Sequence, residues 1–255
     1  MHREILDKQR VDQEIAYAWT IQEGFLVNDW SAKDGRFEVY GETRPARTVG
    51  GDFYDFVRLS QDRIGILIGD VSGKGVPAAL AMAQLLAQFR LRARETMSPA
   101  EVVKALNEDL VVRSQRGMFC SLCYITLDLG TGAVLCANAG HHPVLYVGSE
   151  GARCFGDASG PPAGILPVVP WTDSEWVVEP GGTLLLYTDG IIEARSGEAG
   201  EEYGIEGLFR IARRMYDRPP KELVDAVNED VRAFCAPLLP HDDCTMIAVR
   251  RLGTA

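Results

Sequence analysis

Two pairs of apolar runs in this chain are separated by only three or four residues, and that spacing limits the fold more than any other feature. Phe53 to Leu59 and Ile64 to Ile68 are joined through Ser60-Gln61-Asp62, and Phe119 to Leu129 and Ala133 to Ala137 through Gly130-Thr131-Gly132. A parallel connection needs about a dozen residues, so these are hairpin turns and the strands pair antiparallel. Further strand-like runs are Phe37 to Gly41, Val144 to Val147, Thr183 to Tyr187 and Cys244 to Val249. Ile64 to Ile68 is apolar at nearly every position, the mark of a strand covered on both faces.

Two blocks of amphipathic helix interrupt the strands. Val76 to Arg94 places Met82, Leu85, Leu86 and Phe89 on one face, and Pro99 to Arg113 does the same with Val103, Leu106 and Leu110. Ser98-Pro99-Ala100-Glu101 supplies the second of these with an N-cap, a proline at the first helical position and a capping-box glutamate. The later block spans Ile205 to Met215 and Pro219 to Phe234, the latter with Val224, Val227, Val231 and Phe234 at helical spacing. Hairpins separated by helix pairs are not the strict alternation of a parallel sheet, and an antiparallel sandwich with helices outside it is expected. Ahead of all this, Glu4 to Leu26 is helical, with Val11, Ile15, Ala18, Gln22 and Phe25 forming a seam that predicts packing on its own domain or on a second copy. Arg195 to Gly204 has the composition of a mobile loop.

Composition removes several function classes. With 36 acidic and 26 basic side chains the net charge is -10, and no run of Lys or Arg forms a basic stripe, which argues against nucleic-acid or membrane-surface binding. Six cysteines without a signal-peptide pattern predict reduced thiols in a soluble, cytoplasmic protein. Cys120 and Cys123 have the spacing of a ligand pair, yet on a strand they point to opposite faces.

The chemistry lies in where aspartates meet strand ends and glycines. Asp52 follows Gly50-Gly51 at the start of a strand; Asp70 ends the next, in Gly69-Asp70-Val71-Ser72-Gly73-Lys74-Gly75; Asp189-Gly190 ends another; Asp242-Asp243 precedes the last. A carboxylate at a strand terminus is held by rigid backbone, and a glycine beside it lets a cation approach. An isolated Asp-Gly pair is an ordinary turn. Four such places in one antiparallel domain would repel one another unless hard divalent cations with oxygen ligands offset the charge, so Mg2+ or Mn2+ is expected. Zinc is disfavoured, since no His or Cys cluster accompanies the aspartates.

These segments, with Pro45 to Asp55, Asn138-Ala139-Gly140-His141-His142-Pro143, Tyr187 to Ala194 and Asp242-Asp243-Cys244-Thr245, resemble in order the SpoIIE/RsbU-type branch of the PPM metal-dependent protein phosphatases, from about Ala16 to Val249. The resemblance implies an α+β fold, a four-layer α-β-β-α sandwich of two antiparallel sheets flanked by helix pairs, with an N-terminal regulatory or linker helix over 1–30 and a phosphatase domain over 31–255. It implies that Asp52, Asp70, Asp189 and Asp242 are the catalytic carboxylates. Asp70 would bridge two ions, the Val71 carbonyl would add an oxygen, Asp189 and Asp242 would hold one ion and Asp52 would support the other. Asp243 is the alternative to Asp242, because the wider superfamily usually carries Asn at the second position. Two cations would activate a water to attack phosphorus in line, with no covalent phosphoenzyme.

The branch generally lacks the arginine that related eukaryotic enzymes use to hold phosphate; Arg47 and Lys74 are the candidates here, with an exposed strand arginine and a solvated loop lysine as the plainer accounts. His141 and His142 could supply a general acid, but between Gly140 and Pro143 they are expected to shape a turn. Gly69 to Gly75 is not a nucleotide-binding P-loop, since the spacing is one residue short, no Ser or Thr follows Lys74 and Asp70 would repel phosphate. Gly50-Gly51-Asp52 similarly lacks the acidic partner of a nucleotide cyclase, because Phe53-Tyr54 stands in its place. A catalytically silent module would have lost metal aspartates. By the resemblance, the substrate is a phosphoserine or phosphothreonine on a STAS-domain anti-anti-sigma-type regulator in a partner-switching pathway, with the N-terminal helix serving a regulatory protein or a homodimer.

Overall fold

The computed structural model describes residues 2–26, 35–46, 49–113, 117–197, 200–238 and 241–253. Its elements are α1 (His2–Glu23), β1 (Phe37–Arg44), β2 (Asp52–Arg58), β3 (Arg63–Val71), α2 (Val76–Arg92), α3 (Pro99–Arg113), β4 (Cys120–Asp128), β5 (Ala133–Ala139), β6 (Val144–Gly148), β7 (Gly151–Phe155), β8 (Ser174–Val177), β9 (Thr183–Tyr187), α4 (Asp189–Ile192), α5 (Gly204–Met215), α6 (Pro220–Cys235) and β10 (Cys244–Arg251). Both expected hairpins form, β2 with β3 and β4 with β5. The strands make two five-stranded sheets, ordered β1-β10-β9-β6-β7 and β2-β3-β4-β5-β8, with every neighbouring pair antiparallel.

The period-two rule sorts the side chains into layers. Tyr54, Ile66, Ile68, Cys123 and Ile125 of one sheet meet Val39, Leu184, Leu186, Ile247 and Val249 of the other in a core between them. The opposite face of β2–β5, with Phe53, Leu67, Leu122 and Tyr124, packs on Met82, Leu85, Phe89, Val103 and Leu106 of α2 and α3. The outer face of the other sheet packs on Leu208 and Ile211 of α5 and Leu223, Val224, Val227 and Val231 of α6. The fold is the expected α-β-β-α sandwich. Burying one leucine-sized side chain stabilises by about 1.5–3 kcal/mol, so these three apolar layers hold the architecture together.

Local signals worked where the period was clear. Ser98 N–H donates to Glu101 Oε2 (2.8 Å) and Glu101 N–H to Ser98 Oγ (3.4 Å), the reciprocal cap expected at the start of α3. Cys120 and Cys123 do face different layers. Between Arg195 and Glu202 the expected mobile loop is closed by a bridge and an ion pair of 2.9 Å. The seam of α1 meets its own domain through its polar member: among the described side chains of the helix Gln22 is the buried one, while Tyr17 and Ile21, outside the seam, stand exposed, so α1 is fixed to the sandwich at its C-terminal end. Gln22 Nε2 donates to the Gly50 carbonyl (2.8 Å) and Gln22 Oε1 accepts from Gly50 N–H (3.4 Å). Arg90 of α2 bonds both oxygens of buried Asp55 (2.6 and 3.1 Å) and the carbonyl of Phe25 (2.9 Å). No helix among the described residues is long and apolar enough to cross a membrane.

Candidate metal centre

Strand alternation decides what stands at the open end of the inter-sheet core. Asp52 shares the parity of Tyr54, and Asp70 that of Ile68, so both project between the sheets, and β2–β3 register places them directly opposite each other. From the facing sheet, Thr188 and Thr245 continue the parity of Leu186 and Ile247. Thr188 Oγ1 donates to Asp52 Oδ2 (2.7 Å) and accepts from Thr245 N–H (3.1 Å). A hydroxyl on one sheet thus orients a carboxylate on the other.

The remaining acids arrive from loops. Asp189 opens α4 directly after Thr188, and Asp242 and Asp243 lead into β10. Asp70 lines two adjoining concavities: one shared with Gly50, Gly51, Gly73, Lys74, His241, Asp242 and Asp243, the other with Asp189, Phe119, Ser121, His141, His142 and Pro162. Glycine is required on the walls. A Cβ on Gly51 would lie 2.4 Å from the Val71 carbonyl oxygen and 3.0 Å from Asp70 Oδ1, and one on Gly50 would collide with the Asp243 carboxylate.

Crowded acids in a half-buried cleft resist ionisation. Burial first, and then the Asp70 charge, push the Asp52 carboxyl well above the usual range, against the pull of the Thr245 and Thr188 hydroxyls. Asp70 is raised to about 7, by burial first and then by Asp189, Asp242 and Asp243. Burial also raises Asp243, partly offset by the Ala46 N–H that donates to its Oδ1 at 2.9 Å. Among the described residues, no three carboxylate, imidazole or thiol groups close into a ready-made cage. The arrangement is an open acidic cluster with a backbone carbonyl at its wall. That donor set suits hard divalent cations, which take carbonyl oxygen and water as well as carboxylate.

Lys74 is half exposed, as its plainer account had it, and its Nζ also lies 2.7 Å from Asp242 Oδ2. Arg47 lies outside the described residues. His141 and His142 belong to a shaped turn, and the residue that shapes it is Asn138, whose Oδ1 accepts from His141 N–H (2.8 Å) and whose Nδ2 donates to the carbonyls of His141 (3.0 Å) and Gly156 (2.8 Å). His141 Nδ1 lies 2.9 Å from Ser121 Oγ, and burial, followed by the charge of His142, lowers its pKa to about 3, so its ring is neutral. His142 stacks on Tyr187 with an interplanar angle of 12° and is likewise lowered by burial. Sequence reasoning missed Thr188, Thr245, Ser121 and Gln22. The signal for the first three was available, since each continues the inward parity of its strand.

Two stacked antiparallel sheets between helix pairs, with acids gathered at one end of the shared core, define a PP2C-type fold: the chain superposes on the SiaA-PP2C domain of Pseudomonas aeruginosa with a TM-score of 0.82, 21% identity and coverage of 96% of this chain and 98% of that one. Residues 60–252 match the family model described as Stage II sporulation protein E (SpoIIE), and the chain belongs to that family. It is similar to Protein IcfG of Synechocystis sp. (29% identity, 85% of this chain, 38% of that protein) and to the phosphoserine phosphatase RsbU of Bacillus subtilis (26% identity, 96% of this chain, 72% of that protein). The chain thus spans well under half the length of IcfG.

Proposed function

We propose that the chain is a metal-dependent protein serine/threonine phosphatase, in which Asp52, Asp70, the Val71 carbonyl, Asp189 and Asp242, with Asp243 beside it, hold two Mg2+ or Mn2+ ions. The observation that carries this reading is the juxtaposition of Asp52 and Asp70 across β2 and β3, at a cleft where Asp189, Asp242 and Asp243 all raise the energy of the ionised Asp70. Two bound cations would supply an activated water and a clamp on the phosphoryl oxygens. The chain's own part is to keep the carboxylates oriented. Thr188 holds Asp52, the Ala46 N–H holds Asp243, and Gly50 and Gly51 leave the space open. Lys74, now paired with Asp242, is within reach to neutralise a substrate phosphate; Arg47 is the second candidate for that role.

The substrate is a phosphoserine or phosphothreonine on a STAS-domain anti-anti-sigma-type regulator. Similarity to RsbU, named a phosphoserine phosphatase, supports the reaction. Residues 1–30 are a regulatory or linker segment carrying α1, ahead of a catalytic domain over 31–255, serving a regulatory protein or a homodimer. The amide of Gln22 on Gly50 supports a link from that helix to the cleft. The test is to incubate the chain with phosphorylated STAS-domain proteins, with and without Mn2+, and follow the intact mass. Loss of one phosphate group only with metal, abolished by Asp70→Ala, is expected. Unchanged mass with every candidate, together with no hydrolysis of a chromogenic phosphate ester, would leave a silent binding module.

A further inference from the structure

Beyond the carboxylates, the cleft has an apolar rim, and it is built rigidly. The segment Gly156 to Asp173, between β7 and β8, contains Gly160-Pro161-Pro162-Ala163-Gly164-Ile165-Leu166-Pro167-Val168. It is tied to β4 by paired bonds between Cys120 and Ala163, both 2.8 Å, and to β5 by a bridge from Gly160 to Ala139. Buried Asn107 of α3 holds it from below. Its Oδ1 accepts from Gly164 N–H (2.8 Å), and its Nδ2 donates to the carbonyls of Leu166 (3.0 Å) and Pro167 (3.4 Å). Val169 and Trp171 turn inward onto the helical layer.

Despite these ties, the segment turns apolar side chains outward. Ile165 is 48% exposed, Leu166 48% and Val168 78%. A loop that merely covered the core would bury them. The patch begins beside the cleft: Pro162, three residues before Ile165, lines the concavity of Asp70 and Asp189 together with Phe119, itself 39% exposed, and Gly164 lies against the Phe119 backbone. Phe119 is fixed too: its N–H donates to Ser72 Oγ (2.9 Å) and its carbonyl accepts from Ser72 N–H (2.8 Å). Ser72 stands two residues after Asp70, so the same short segment sets both the acid and the apolar rim.

We infer that Phe119, Ile165, Leu166 and Val168 form a preorganised docking surface for the substrate polypeptide, and that the chain selects phosphoserines with apolar side chains within a few residues. This rests on the phosphatase reading. A phosphoserine ester is one carbon from its backbone, so a phosphoryl group lowered onto Asp70 and Asp189 brings the substrate main chain against the rim. There its neighbouring side chains meet Phe119 and the patch beyond it. Because the loop is ordered beforehand, docking costs little additional entropy. An exposed apolar patch joined to a reactive cleft is more economically explained by a partner than by folding.

The probes are two synthetic phosphoserine peptides, one flanked by leucine and valine and one by serine and glycine, with para-nitrophenyl phosphate as the small substrate. With Mn2+ present, kcat/KM should favour the apolar peptide by about tenfold, the scale of one or two apolar contacts. Ile165→Ser combined with Val168→Ser should reduce that preference to about twofold while leaving the small substrate unaffected, and Val168→Leu should retain it. Equal use of both peptides by the native chain, or a preference that survives the double substitution, would overturn the inference. So would light scattering that shows a native dimer dissociated by the double substitution with peptide preference intact, because the patch would then cover a second copy. A native chain inert toward para-nitrophenyl phosphate with Mn2+ removes the phosphatase reading and this inference with it.

Discussion

The two ends of the sandwich use the same residue types to opposite effect. At the end away from the cleft, Asp128 Oδ1 accepts from the N–H groups of Gly130 (3.0 Å) and Thr131 (2.8 Å) and from Thr131 Oγ1 (2.9 Å), and the Thr131 backbone bond leads in holding its pKa below the usual range. Arg251, ending β10, donates to the carbonyls of Gly130 (3.0 Å), Thr131 (2.8 Å) and Val178 (2.7 Å), tying the two sheets together. At the cleft end, Asp52, Asp70 and Asp243 sit at equally rigid strand termini, but they face one another and their pKa values rise. One end is satisfied by the chain itself; the other, on the proposed reading, would be completed by external cations. Conflict concentrated where chemistry is expected, and compensated elsewhere, is how a functional site departs from the rules of a stable fold.

The contrast can be broken most severely at Asp70. Asp70→Asn should lower metal-dependent hydrolysis by on the order of 1000-fold, the scale of losing a key electrostatic group. In EDTA the same substitution should raise the melting temperature, because it removes a charge from a repelling cluster; a drop in EDTA would show that the cluster is not strained.

A pH scan of the metal-free chain sharpens the same point. The fold holds a proton on Asp70 up to about 7, whereas the unfolded chain releases it near the ordinary carboxylate value. Between those limits the native state binds more protons, so stability is greatest at the acidic end and falls as pH rises toward and through 7. The melting temperature should be lower at pH 8 than at pH 5 by on the order of 5–10 °C, and saturating Mg2+ should shrink or invert the difference.

At the satisfied end, Arg251→Ala should cost about 2 kcal/mol in denaturant unfolding without changing turnover of a small ester. Loss of turnover at unchanged stability would show that the ends are not independent. The smallest effect is expected from Thr188→Val, which removes the hydroxyl on Asp52 but keeps the shape. Metal affinity by calorimetry should fall about tenfold, the lower range for groups that orient a ligand.

Much of this was legible in the residues. The hairpins, α2, α3 and α6 announced themselves through turn length and a 3.6-residue apolar period. The short strands β7 and β8 did not, because Gly151-Ala152-Arg153-Cys154-Phe155 and Ser174-Glu175-Trp176-Val177 are edge strands, half exposed and without clean alternation. Asp70 and Asp189 were legible from glycine and strand ends, but Asp128 stands at a strand end before a glycine-bearing turn as well, and only the long-range meeting of chains separates the two uses. Gln22 was placed in the α1 seam by spacing alone, and its bond to the cleft was not legible because its partner, the Gly50 backbone, is distant in sequence.

The β2–β3 pairing carries a consequence for mutagenesis far from the cleft. Asp52 and Asp70 are the last of seven paired positions, and their alignment is counted from Arg58 and Ile64 beside the turn, about 20 Å away. One residue inserted within β2 would rotate Asp52 out of the gap between the sheets while leaving every acid in the chain intact. Activity could thus be erased by a frame error in a ladder, and a scan restricted to the cleft would never detect why.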